Sequence, residues 1–388
     1  ATQMETPQLY RQLMTQLRQW VNPKDERHLQ GFAETVAAIL LSGSACLGKW
    51  IAYLGHRGCQ ARSHLERLSY FVHNAEITAE RFYKPLLRQA LQAFQGTAVT
   101  VTLDTSMLWN QFCLIEVCLA WGGRSFTLAQ QVIEHGSATV SFDTYRPVLA
   151  EAKAVLPPQC AVTLLADRGF EHGELCRCLQ QWQWEWAIRA KTDLNVTLAS
   201  GQKRRVEQLL PDSAQAQLFH QVTVLEDVQC HLATAHLPTA SDPWAVLSSQ
   251  PPSLQTFALY GQRFGGIEPH FKDYKSAAFH VLDSGLRDAQ ALTCLFMLLD
   301  SAILIALIVG MLLVQANQRS RLDWHSQRGL SFLQLGLRDI ARRCYERTAL
   351  PQLTPLSGKS PPTACASRRK HSQLNCRFEF EKVTVFSA

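Results

Sequence analysis

The chain has 388 residues, 47% hydrophobic and 18% charged, which excludes a disordered polypeptide or one small core and points to two or three structural units. Its net charge of +6 is unevenly spread: residues 1–96 hold 11 Lys/Arg against 7 Asp/Glu, residues 315–388 hold 13 against 5, and the middle holds 14 against 20. Basic flanks around an acidic centre suit a protein that grips a polyanion at its ends and holds cations between them, although ordinary charge heterogeneity gives the same counts.

Residues 1–96 read as helical and are expected to form a DNA-binding domain. Phe32, Val36, Ile39 and Leu40 keep helical spacing, as do Leu65, Leu68 and Val72. Ser63 followed by Glu66 is a capping box and predicts a helix start there. Leu54-Gly55-His56-Arg57-Gly58 reads as a turn. Two short helices around it, with Arg57, Arg62 and Arg67 nearby, fit either a helix-turn-helix reader of DNA or a plain bundle with solvated arginines. Ala1 to Asn22 is polar and mixed, unlike a secretory signal.

From Thr97 the period changes to two. Val99, Val101 and Leu103 share one face of a predicted strand, and Thr100, Thr102 and Asp104 the other. Strands are predicted at 111–121 and 124–133 around Gly122-Gly123, a helix at 142–155, and a buried, parallel strand at Ala161–Ala166. A helix near 171–182 and a strand over Trp182–Ile188 complete this block. Residues 192–258 alternate and are rich in turn formers, which predicts a β-rich insertion. Residues 259–350 read as helical, and the tail after Leu350, with Arg368-Arg369-Lys370, is expected to be mobile. Ala291 to Val314 is long enough to span a membrane, but Asp300 in its middle favours a buried helix of a soluble protein.

The 12 cysteines are scattered through apolar runs without any CxxC, so reduced thiols in a cytosolic protein are expected. His172, Cys176 and Cys178 have the wrong spacing for a zinc site. Gly358-Lys359-Ser360 lacks the partner glycine of a phosphate-binding loop, because Leu353 stands there.

Three acidic stretches carry the chemistry. Asp104 and Asp167 each follow a hydrophobic run, and Glu268 lies near Tyr260, Arg263 and Lys275. Asp104 alone fits a turn or helix cap as well as a ligand. Asp167, in Asp-Arg-Gly-Phe after a buried strand, sits where α/β sheets place their sites. Carboxylates brought together in this way make a hard-metal site of oxygen ligands, suited to phosphoryl transfer. Trp244 fits either a base-stacking role or a core position.

These blocks resemble those of DDE transposases of bacterial insertion sequences, specifically the insertion-sequence-four family. Tyr260, Arg263, Glu268 and Lys275 follow that family's Tyr-Arg-Glu-Lys order, and Asp104 and Asp167 match its first two acidic blocks. The resemblance covers about residues 30 to 340. It implies a ribonuclease H-like α/β core interrupted by a β-rich insertion, with helical N-terminal and C-terminal regions: core at 97–191 and 259–318, insertion at 192–258, and a basic helical region with a mobile tail at 319–388. It implies cut-and-paste transposition, with Asp104, Asp167 and Glu268 holding two Mg²⁺ ions for which Mn²⁺ can substitute. It further implies that Tyr260, Arg263, Lys275, Trp244, Arg168 and Arg189 contact DNA, that the partners are the element's inverted-repeat ends and target DNA, and that the protein is a homodimer on DNA, cytoplasmic and away from membranes. A derivative that binds DNA without cutting it is the alternative. One departure is the fourth residue between Arg263 and Glu268, where the family has three. A π-bulge at Gly265-Gly266, beside Pro269, would restore a common helical face.

Overall fold

The alternating run that begins at Ala98 is the first strand of a large mixed sheet. The protein was analysed as a computed structural model describing residues 8–21, 23–55, 58–237, 242–367 and 378–386. The strands are β1 (Ala98–Leu108), β2 (Phe112–Trp121), β3 (Arg124–Glu134), β4 (Ala161–Ala166), β5 (Glu185–Arg189), β6 (Asn195–Thr197), β7 (Lys203–Arg205), β8 (Gln215–Val224), β9 (Val228–Ala235), β10 (Trp244–Ser248) and β11 (Lys382–Phe386). They pair in the order β3-β2-β1-β4-β5-β10-β9-β8-β6-β7, with β11 parallel to β8. The first three strands form an antiparallel meander, while β4 runs parallel to β1 and β5 parallel to β4. Since β10 pairs with β5, the strands of residues 192–258 extend the same sheet rather than forming a separate body.

The helices are α1 (Gln8–Leu17), α2 (Glu26–Ser42), α3 (Leu47–Trp50), α4 (Ala61–His73), α5 (Tyr83–Ala90), α6 (Phe142–Val155), α7 (Gly173–Gln181), α8 (Leu254–Lys272), α9 (Ala289–Gln315) and α10 (Phe332–Glu346). Helices α6 and α7 supply the crossovers that the parallel pairs β1/β4 and β4/β5 require. The expected capping box at Ser63 does not form. Gln60 is the extended N-cap of α4, so Ser63 already lies inside the first turn. Arg57, part of the predicted turn, lies outside the described residues.

Helix α9 is the axis of the core. Its most apolar window has a mean hydropathy of 2.6, enough in length and composition to cross a membrane, yet 89% of that window is buried within the protein. It packs against β3 on one side and α2, α4, α5 and α10 on others, so the N-terminal helices share one hydrophobic core with the sheet. Helix α10 crosses α9 at glycines: a Cβ on Gly336 would stand 1.7 Å from the Ala306 carbonyl oxygen, and one on Gly310 2.0 Å from that of Phe332.

The segment after Leu350 is packed, contrary to the expected mobility. Leu353 and Leu356 are buried, the Leu356 N–H donates to Ala90 O at 2.9 Å, and Trp121 Nε1 donates to Ser357 O at 2.8 Å. Apolar residues and these backbone bonds hold the strap down. Arg368-Arg369-Lys370 fall outside the described residues.

Candidate active site

The parallel ladder between β1 and β4 ends at the pair Leu103 and Ala166. The next residue on each strand is a carboxylate, so Asp104 and Asp167 emerge side by side. Strand β4 stops there, and Asp167 caps the 3₁₀ turn Arg168–Phe170 by accepting the Gly169 N–H at 2.8 Å. Strand β1 does not stop at Asp104 as its apolar run led one to expect. Antiparallel pairing with β2 carries it on to Leu108, with Asp104 opposite Glu116. Asp104 is therefore buried, while Asp167 is half-buried.

The third carboxylate comes from α8. Ser253 caps this helix: its Oγ accepts the Gln255 N–H, and its own N–H donates to Thr256 Oγ1. The helix runs without interruption to Lys272 and then continues as a π-helical turn, Asp273–Ala277. The π-bulge expected at Gly265-Gly266 is thus absent, and the widened turn lies after Lys272 instead. Gly266 serves a close approach: a Cβ there would sit 2.8 Å from Ser125 Oγ of β3.

Without the bulge, Arg263 and Glu268 point about 140° apart on the helix. The long arginine side chain closes the gap. Its Nη1 is 3.6 Å from Glu268 Oε1, and its Nη2 is 2.5 Å from Asp104 Oδ2 and 3.7 Å from Asp167 Oδ2. One guanidinium therefore touches all three carboxylates. Burial pushes the Asp104 carboxyl up to about 7 even though Arg263 pulls it down, with Asp167 adding repulsion. Burial opposes the Arg263 charge too, but Asp104, Tyr260, Asp167 and Glu268 outweigh it and hold its pKa above the ordinary value.

The remaining candidates divide by exposure. Arg168 is exposed, and Arg189 is half-buried with Nη2 3.3 Å from Pro243 O. Lys275, in the π-helical turn, donates from Nζ to Met107 O at 2.9 Å, and partial burial lowers its pKa. Tyr260 and Trp244 lie inside the protein. Both are buried between the sheet and α8, with ring centroids 5.6 Å apart and Phe264 beside them. Their mutual burial leaves no ring face to solvent. The Tyr260 hydroxyl has no hydrogen-bond partner among the described residues, and burial pushes its pKa up to about 12. The sequence reading passed over Glu116, whose signal was a single carboxylate inside the apolar run of β2.

The layout is a mixed α/β fold with a three-carboxylate cluster, two members from adjacent parallel strands and one from a covering helix. The family model described as the transposase DDE domain matches residues 111–307, just over half of the chain, and the chain belongs to that family. The match includes Asp167 and Glu268 and begins downstream of Asp104. No curated protein matches the sequence. A solved structure with partial similarity is the cryo-EM structure of the piggyBac transposase synaptic complex with hairpin DNA. It is 11% identical, with 86% of this chain and 79% of that chain covered and a TM-score of 0.44.

Proposed function

We propose that this DDE-family protein is a transposase of the insertion-sequence-four type, which cuts DNA at the ends of its element and joins them to target DNA. The observation that carries the reading is the convergence of Asp104, Asp167 and Glu268 on the single guanidinium of Arg263. Three carboxylates on a shared cation form an all-oxygen donor set, which fits Mg²⁺ or Mn²⁺ rather than a softer metal. Asp104, Asp167 and Glu268 would hold two such ions, which supply charge neutralisation at the attacking and leaving oxygens of phosphoryl transfer.

The chain's own residues do the rest. Arg263 neutralises the cluster and offers its fork to a phosphate. Arg168 and Lys275 flank the cluster and hold the DNA backbone, with Arg189 further out. The proposed ribonuclease H-like core comprises residues 97–191 and 259–318, with β6–β10 as the insertion and the helical regions on either side contacting DNA. Dimerisation on paired ends and a cytoplasmic location belong to the same proposal.

A second reading is a DNA-binding derivative that no longer cuts. The five-residue step from Arg263 to Glu268, one residue longer than in the resembled family, favours it. Asp167→Ala separates the two. The transposase reading expects this variant to lose metal-dependent strand cleavage while keeping specific binding to end-bearing DNA. Cleavage that survives in the variant, or that is missing from the unmodified protein, rejects the assignment.

A further inference from the structure

A second constellation lies on the same face of the sheet, one strand away from Asp104. Glu116 is the cross-strand partner of Asp104, and Cys118 follows two residues later on the same face of β2. Thr127 comes from β3, His270 from α8, Tyr274 from the π-helical turn and Asp300 from α9. None of the six is more than 1% exposed.

Ligand-capable atoms of Glu116, Cys118 and His270 all lie within 4.8 Å of one another. Thr127 Oγ1 ties Asp300 to the same point, 2.6 Å from Glu116 Oε1 and 2.8 Å from Asp300 Oδ1. The Tyr274 hydroxyl donates to Glu116 Oε1 at 2.8 Å and also contacts Asp300 Oδ1. His270 Nε2 is 3.2 Å from Glu116 Oε1.

The hydrogen bonding is incomplete. The Thr127 and Tyr274 hydroxyls converge on Oε1 and Oδ1, while Glu116 Oε2 and Asp300 Oδ2 are buried without a partner among the described residues. The hydroxyls of Thr127 and Tyr274 each face both Glu116 Oε1 and Asp300 Oδ1, and each can donate to only one. Moving protons within the cluster can redistribute these hydrogen bonds but adds no donor that reaches the outer oxygens. Such a network still leaves the second Glu116 oxygen, a buried charged acceptor, unsatisfied among the described residues. A cation held by that carboxylate removes the deficit.

The donor types identify the cation. Thiolate, imidazole and carboxylate together suit zinc, in contrast to the all-oxygen set at the candidate active site. Thr127 and Tyr274 then orient the Glu116 carboxylate through its Oε1, as partners of metal ligands commonly do. Rare π-helical turns such as the one that carries Tyr274 often mark functional positions.

We propose that Glu116, Cys118 and His270 ligate a zinc-type divalent cation, with Asp300 beside it in the same hydrogen-bond network, and that the ion fastens α8 and α9 to the sheet. With the Cys118 proton released on binding, two ligand charges balance the ion. The site is structural. His270 lies two residues beyond Glu268, so the ion would fix the helix that presents the candidate active-site residues.

The test is metal content of the purified full-length protein. About one zinc per chain is expected, retained in Asp167→Ala and lost in Cys118→Ser and His270→Ala. Cobalt substitution should give a near-ultraviolet thiolate-to-cobalt band in the unmodified protein that Cys118→Ser lacks. Unmodified protein that binds no stoichiometric zinc or cobalt, and whose unfolding midpoint is indifferent to chelator, overturns the proposal in favour of a purely protonic network. If the variants fail to fold, the two measurements on unmodified protein decide alone. No DNA or cleavage assay enters, so the result is independent of the transposase reading.

Discussion

Replacing Arg263 with Met removes the charge that three carboxylates share while keeping an unbranched chain in the same space. The Arg263 and Asp104 side chains are 7% and 11% exposed and 2.5 Å apart, and removing one partner of a buried pair costs about 3–5 kcal/mol. Asp167 and Glu268, at 37% and 50% side-chain exposure, are screened by water and add little. The expected loss near neutral pH is therefore at the low end, about 3 kcal/mol. The pH profile is the sharper signature. A carboxyl raised in the folded state contributes stability that is full below its unfolded pKa and declines as pH rises through the folded one. In the unmodified protein that decline ends slightly above about 7. Without Arg263 the Asp104 pKa climbs further, so the variant goes on losing about 1.4 kcal/mol per pH unit. Urea unfolding across the range from mildly acidic to about pH 9 should show a gap that is flat below neutrality and widens above it. A gap below about 1 kcal/mol, or one that stays constant with pH, refutes the argument.

Three further outcomes are expected. Gly336→Ala drives a methyl into the Ala306 carbonyl at the α9/α10 crossing and should cost about 2–4 kcal/mol in an unfolding titration; an unchanged midpoint contradicts the packing described. Glu171 is buried, accepts the Lys191 N–H at 2.6 Å, and has its carboxyl pushed up to about 7. Its contribution is full at acidic pH and fades as pH rises through 7, so Glu171→Gln, which is free of that titration, should gain on the unmodified protein by roughly 2 kcal/mol between about pH 5 and pH 8; parallel stability curves for the two proteins would count against it. Tyr260→Phe deletes a buried hydroxyl that lacks a partner among the described residues and should leave stability unchanged or raise it by up to about 1 kcal/mol; a lower thermal midpoint would mean that the hydroxyl has a structural partner.

The sequence exposes what depends on local periodicity. The β1 alternation, the apolar run of β4 and the helix before Pro157 are readable because pleat and burial repeat along the chain. The pairing of Asp104 with Asp167 follows once β1 and β4 are neighbours. What depends on packing between elements is hidden. Helix α8 buries one stripe that includes Phe257, Tyr260, Arg263, Ile267 and His270, but the Trp244 ring meets Tyr260 from β10, a contact between elements that spacing within α8 does not show. The position of the π-helical turn is equally opaque, because Gly265-Gly266 resembles a weak point, yet Gly266 is there for the close approach to Ser125 of β3. The grouping of Glu116 with Asp300 depends on α9 crossing the meander, a placement no short window of sequence contains.

The separation of Asp104 and Asp167 is a lattice constant rather than a loop property. Each follows the last rung of a six-pair parallel ladder, so their distance is inherited from the spacing between hydrogen-bonded strands. The 62 residues between them can lengthen, shorten or drift at the turns without altering it. A single-residue slip between β1 and β4 would instead reverse the pleat and carry one carboxylate to the opposite side of the sheet. Mutational tolerance in this region should thus be partitioned sharply, permissive in the turns and strict in two short stretches of backbone.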